Sequence, residues 1–157
     1  MDYENAPPRG PEPSDPKLRE IFRYKNDSHV LLEVASNPSD SPRHAAPPMI
    51  RLEAGRISPS KPVTAADMLA FIKQTESERS NKVIREPEDS SFDGQVFSRM
   101  DVSKTGPTTK LEFRTTYWSY VVGTRKGYIL IFAIVANSPE ELDRLFETLR
   151  SPRFASL

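Results

Sequence analysis

The 157-residue sequence predicts an α+β domain, an antiparallel sheet sandwiched between helices in an α/β/α arrangement. Three observations carry this. Tyr128 to Ala136 (YILIFAIVA) is an unbroken apolar run of nine residues, which suits a strand covered on both faces, because alternation appears only when one face meets water. Its β-branched and aromatic content and the flanking Gly127 and Asn137 favour a strand over a buried helix. Next comes a capped amphipathic helix, and short turn-rich connections join the run to the strands before it.

Taken in order, residues 1–16 hold Pro7, Pro8, Pro11, Pro13 and Pro16 among charged and small side chains. Such a stretch cannot bury enough apolar surface to offset its ordering entropy, so it is expected to be a flexible proline-rich arm ahead of a single domain at 17–157. Lys17 to Tyr24 suits a short helix, with Leu18, Ile21 and Phe22 on one side. His29 to Ala35 and Met49 to Ile57 read as strands, the second with Met49, Arg51 and Glu53 on one face and Ile50, Leu52 and Ala54 on the other. Between them lies a Pro/Ser loop carrying His44.

Thr64 is placed to cap a helix, with Asp67 at capping-box spacing and Val63 with Met68 at the spacing of a hydrophobic staple. Met68, Phe71, Ile72 and Thr75 form its inner stripe, and it ends near 78–81. Val83 to Glu86 suits a short strand that Pro87 breaks, followed by an acidic loop over 88–91 and a Phe92-Asp93-Gly94 turn. Gln95 to Ser103 alternates as a strand, Lys104 to Thr109 reads as a hairpin loop, and Gly123 to Gly127 as a five-residue hairpin connection. The last helix starts at Ser138, with Pro139 at the first position and Glu141 in reach of the Ser138 amide. Leu142, Leu145, Phe146 and Leu149 make its apolar stripe, and Pro152 stops it.

Several phrases resemble the PsbP-like family: Val-Thr-Ala-Ala-Asp-Met-Leu (63–69), Val-Ile-Arg-Glu-Pro (83–87), Phe-Asp-Gly-Gln-Val-Phe-Ser-Arg-Met-Asp (92–101), Arg-Lys-Gly-Tyr-Ile-Leu-Ile-Phe (125–132), Ser-Pro-Glu-Glu-Leu (138–142) and Leu-Arg-Ser-Pro-Arg-Phe (149–154). The likeness spans about residues 29–154 and lies in hydrophobic spacing and turn residues, not in catalytic side chains. It implies the fold that PsbP shares with the Mog-type Ran-binding import factor and with many bacterial proteins of unknown function. At the front, where such proteins open with a Tyr-x-Asn strand, an aromatic-Gly pair and a Tyr-Pro corner, only Tyr24-Lys25-Asn26 matches.

Composition removes several function classes. The 22 basic and 22 acidic side chains cancel, with 8 against 9 up to residue 60 and 14 against 13 after it, so no half carries the basic footprint of a nucleic-acid binder. There is no cysteine, hence no disulfide, thiolate chemistry or cysteine-ligated zinc. Nine residues is well short of the ~20 that span a bilayer. Met1-Asp-Tyr-Glu-Asn-Ala-Pro-Pro is no signal peptide; a proline-rich polar start also fits an exported chain after signal removal, which is favoured over a cytoplasmic one.

Catalytic and metal sites are not expected. His29 and His44 are the only histidines, without metal-motif spacing and without a nucleophile motif at any serine. Glu86, Glu88, Asp89 and Asp93 lack the spacing of a calcium loop, and Gly123 to Gly127 lacks the Gly-Lys-Ser/Thr of a phosphate loop. No cofactor is expected. The remaining candidates for binding are Arg114, Trp118 and Tyr120, which alternation puts on one strand face, and Arg125 with Lys126 at the far end of that strand. Phe113 and Tyr117 share the other face, and a core role for these aromatics is preferred to an exposed one. The reading is a non-enzymatic binding or interaction module whose partner is an unidentified protein or small ligand. The competing classes are a hydrolase with carboxylates assembled in space from Asp101, Glu112 or Asp93, and an anion or nucleotide binder at Arg125-Lys126.

Overall fold

Six antiparallel strands in the order β1-β2-β6-β5-β4-β3 form one sheet, with the apolar run Tyr128–Ala136 (β6) inside it, between β2 (Met49–Arg56) and β5 (Phe113–Arg125). A computed structural model describes residues 16, 19, 21, 29–35, 48–92, 94–107 and 113–150. The remaining elements are β1 (His29–Ala35), α1 (Ala65–Glu78), β3 (Lys82–Phe92), β4 (Gln95–Pro107) and α2 (Pro139–Leu149). The arm at 1–16 lies outside the described residues save Pro16, as do His44, Asp93, Glu112 and most of the helix expected at 17–24, of which Arg19 and Ile21 have helical backbone.

The two sheet faces carry separate apolar clusters. Met100 and Val102 (β4), Tyr120 and Val122 (β5) and Ile129 and Ile131 (β6) pack with Met68, Leu69 and Ile72 of α1. Phe97, Val121, Phe132, Ile134 and Ala136 pack with Leu142, Phe146 and Leu149 of α2, joined by Ile50 of β2. Odd and even residues of β6 thus serve different clusters, which is why its sequence shows no polar alternation.

Both helices start on side-chain caps. Thr64 Oγ1 accepts from the Asp67 amide at 3.1 Å while Asp67 accepts from the Thr64 amide at 3.0 Å, a complete capping box. Ser138 Oγ accepts from the Glu141 amide at 3.1 Å, but the Glu141 carboxylate reaches the Asn137 amide (2.8 Å), one residue before the expected Ser138.

Strand ends differ from expectation in three places. β3 runs through Pro87 and takes in the stretch expected to be an acidic loop, because β3 is an edge strand, where a residue without an N–H donor is tolerated; the register shifts between Val83 and Arg85 and again between Arg85 and Glu88. β4 continues past Ser103 to Pro107, pairing Lys104 with Thr116 and Pro107 with Phe113, so Lys104 belongs to a strand and not to a loop. The β5–β6 connection is a two-residue turn, Lys126-Gly127, and not five residues: both have positive φ (49° and 81°), the conformation that matches the twist of a tight hairpin.

Candidate ligand cavity between helix and sheet

Pairing sets Tyr120 (β5), Ala133 (β6) and Arg51 (β2) in one row across the sheet, and Trp118, Val135 and Met49 in the next. Ala133 offers only a methyl between a phenol and a guanidinium. The turns of α1 carrying Phe71, Ile72, Thr75 and Glu76, with Arg79 just past its end, roof this row, and the partly open space between holds about 290 Å³, with Ile131 and Ala133 as floor. Met49, Arg51 and Glu53 line one wall, and Trp118, Tyr120 and Lys104 the other. A small floor residue flanked by large neighbours leaves room that close packing would otherwise fill.

The walls are polar groups fixed by one another. Glu76, 3% exposed, accepts hydrogen bonds from Lys104 Nζ (2.7 Å), the Tyr120 hydroxyl (2.7 Å) and Asn81 Nδ2 (2.6 Å). Burial alone would raise its pKa, but these three donors and the charge of Lys104 outweigh burial and hold the carboxyl below its ordinary value. The Tyr120 phenol moves the other way, pushed far above its ordinary value by burial and then by its bond to Glu76. The Lys104 ammonium lies 4.1 Å from the centroid of Trp118 and 5.4 Å from that of Tyr120, and the two rings stack with centroids 6.3 Å apart. The Trp118 indole donates to Thr116 Oγ1 at 3.0 Å.

Across the cavity Arg51 Nη2 pairs with Glu53 at 3.1 Å, while the buried Arg51 Nε has no hydrogen-bond partner among the described residues. Arg79 follows the end of α1, is exposed, and has no ion-pair partner among the described residues.

Of the residues expected to bind, Trp118 and Tyr120 line the cavity. Arg114 sits further along β5 and donates to Asn137 Oδ1 at 2.8 Å, away from the lining. Arg125 and Lys126 are exposed at the hairpin at the opposite end of the strand, so the five do not form one constellation. Sequence reasoning did not single out Glu76, Lys104, Arg51 or Arg79. The signals were present: Met100, Val102 and Lys104 continue one alternation, and Arg51 and Glu53 stand on a polar strand face beside the central strand.

The opposite face holds a second polar cluster. Arg99 Nε and Nη2 bond both Asp101 oxygens (2.9 and 2.8 Å), Nη2 also meets Asp143 of α2 (2.7 Å), and Nε meets Ser119 (3.1 Å). Arg85 Nε adds a bond to Asp101 (2.8 Å), which together with the nearby acids outweighs burial and leaves its guanidinium pKa raised. The Arg99 guanidinium stacks 4.2 Å over Phe146. Asp101 is therefore enclosed by two arginines and accepts three hydrogen bonds from them, while Glu112 and Asp93, its expected partners, lie outside the described residues. The network joins sheet and α2.

No protein-family profile matches the chain, and no curated protein matches it. Among solved structures, a Pseudomonas aeruginosa protein of unknown function, described as a regulator candidate, is similar at 16% identity and a TM-score of 0.50, over 82% of this chain and 81% of that one. A cyanobacterial PsbP from Synechocystis aligns at 15% identity and a TM-score of 0.43, over 79% of this chain and 84% of its own. The fold is thus shared with a protein of unknown function.

Proposed function

We propose that the protein is a non-enzymatic, PsbP-like binding module, its two helix-bearing faces forming the family's α/β/α layers, and that it holds a small organic ligand in the cavity between α1 and the sheet. The observation that supports this is the cavity itself: a partly open, largely apolar space of about 290 Å³ whose polar groups are pre-arranged by bonds to each other, close to the lower bound of the ~300–1,000 Å³ typical of ligand sites. The same groups speak against hydrolysis there. Glu76 is held ionised by three donors and Tyr120 is held protonated, so neither is poised near neutrality as a general acid or base.

A thermal-shift panel of metabolite classes tests the proposal against Ala133→Leu, which fills the floor. A ligand at 100 times its Kd adds about 2.7 kcal/mol, or roughly 5–10 °C for a domain of this size. Shifts that vanish in Ala133→Leu support the cavity. Shifts that persist in that variant place binding elsewhere, and a flat panel removes the small-ligand reading in favour of a protein partner.

A further inference from the structure

Building on the cavity reading above, we infer that its ligand is an organic monoanion, a carboxylate that pairs with the Arg51 guanidinium and whose apolar or aromatic body lies between Trp118, Ala133 and Phe71. The lining carries three cations, Arg51, Arg79 and Lys104, against two anions, Glu53 and Glu76, and so has an excess of one positive charge. Lys104 and Glu76 neutralise each other at 2.7 Å, and Glu53 engages only Nη2 of Arg51. That leaves Arg51 Nε, a buried charged donor without a partner among the described residues, and Arg79 at the mouth. Nε itself is closed to solvent, but the Arg51 side chain is 39% exposed, and its guanidinium, only partly neutralised by Glu53, is open to a carboxylate.

The surroundings narrow the class further. Lys104 already lies over Trp118 and Tyr120, and its charge repels a ligand cation from those two rings. Glu33, opposite Arg51 on β1, is exposed and makes no ion pair with it among the described residues. At about 290 Å³ the space suits a body of one ring or a short alkyl chain and not a nucleotide. The floor and roof, Ile131, Ala133, Phe71 and Ile72, offer such a body apolar contact.

Trp118 is the only tryptophan, so its fluorescence reports the cavity directly. The experiment titrates the full chain with phenylacetate, benzoate and octanoate beside benzamide, benzylamine and phenyl phosphate. Saturable changes with the carboxylates, at least tenfold weaker with the neutral amide and the amine, are expected. Arg51→Lys keeps the charge and removes the planar guanidinium that pairs with a carboxylate, and should lose about tenfold in affinity with unchanged circular dichroism. Arg79→Ala, at the exposed helix end, should lose two- to fivefold. Benzamide or benzylamine binding as tightly as the carboxylates, or an Arg51→Lys variant of full affinity, overturns the anion assignment and leaves the cavity reading standing. Phenyl phosphate alone binding overturns the carboxylate. If no probe alters Trp118 fluorescence and the thermal-shift panel is also flat, both readings fall.

Discussion

Burial opposes the charge on Glu76, yet Lys104, Tyr120 and Asn81 donate to it and keep it ionised, so its stabilisation depends on pH in a definite direction. Because the folded pKa lies below the ordinary 4.5, its contribution is complete above that value and is lost as pH falls through the folded pKa. Glu76→Gln should therefore cost about 2–3 kcal/mol at pH 7, with the gap to the native protein closing below about pH 4.5; urea unfolding at several pH values checks it. Asp101→Asn should cost about 3 kcal/mol in the same assay, since Arg99 and Arg85 lose the charge they share. Trp118 and Tyr120 were legible from the sequence because an aromatic pair two apart on a strand must share a face. Glu76 was not: a glutamate near the end of an amphipathic helix reads as solvent-exposed, and only the fold brings Lys104 and Tyr120 to it.

At the scale of elements, caps and apolar periods located both helices and the central strand, because these signals are local. The strand ends were not legible. Pro87 and Gly106-Pro107 look like breakers, and whether a proline breaks a strand depends on which edge of the sheet it occupies. Lys104 reads as a loop residue for that reason, and one of the three residues of that cavity wall is missed with it. The β4–β5 pair also has a close approach: a Cβ at Gly123 would sit 2.5 Å from the Phe97 ring, which packs edge-on to Phe132 with centroids 6.1 Å apart. Gly123→Ala should thus destabilise by about 1–3 kcal/mol through overpacking, read as a lower urea midpoint with an unchanged m-value. Ser138→Ala removes the cap of α2 and should cost about 1 kcal/mol in the same measurement.

For the whole molecule, the α+β class and the antiparallel sheet were legible, and no helix among the described residues is long and apolar enough to cross a membrane. The site was legible only in part, since a cavity is a property of rows across strands: Tyr120, Ala133 and Arg51 are far apart in the chain and adjacent in the sheet. Whether this row and α1 hold a small ligand is decided by a fragment screen read in ¹H–¹⁵N correlation spectra. Bound fragments are expected to move the Trp118 indole resonance together with the amides of Thr75 to Arg79 and Ala133. Perturbations confined to the Arg125-Lys126 hairpin or to β1, with the Trp118 indole unmoved by every fragment, would contradict it.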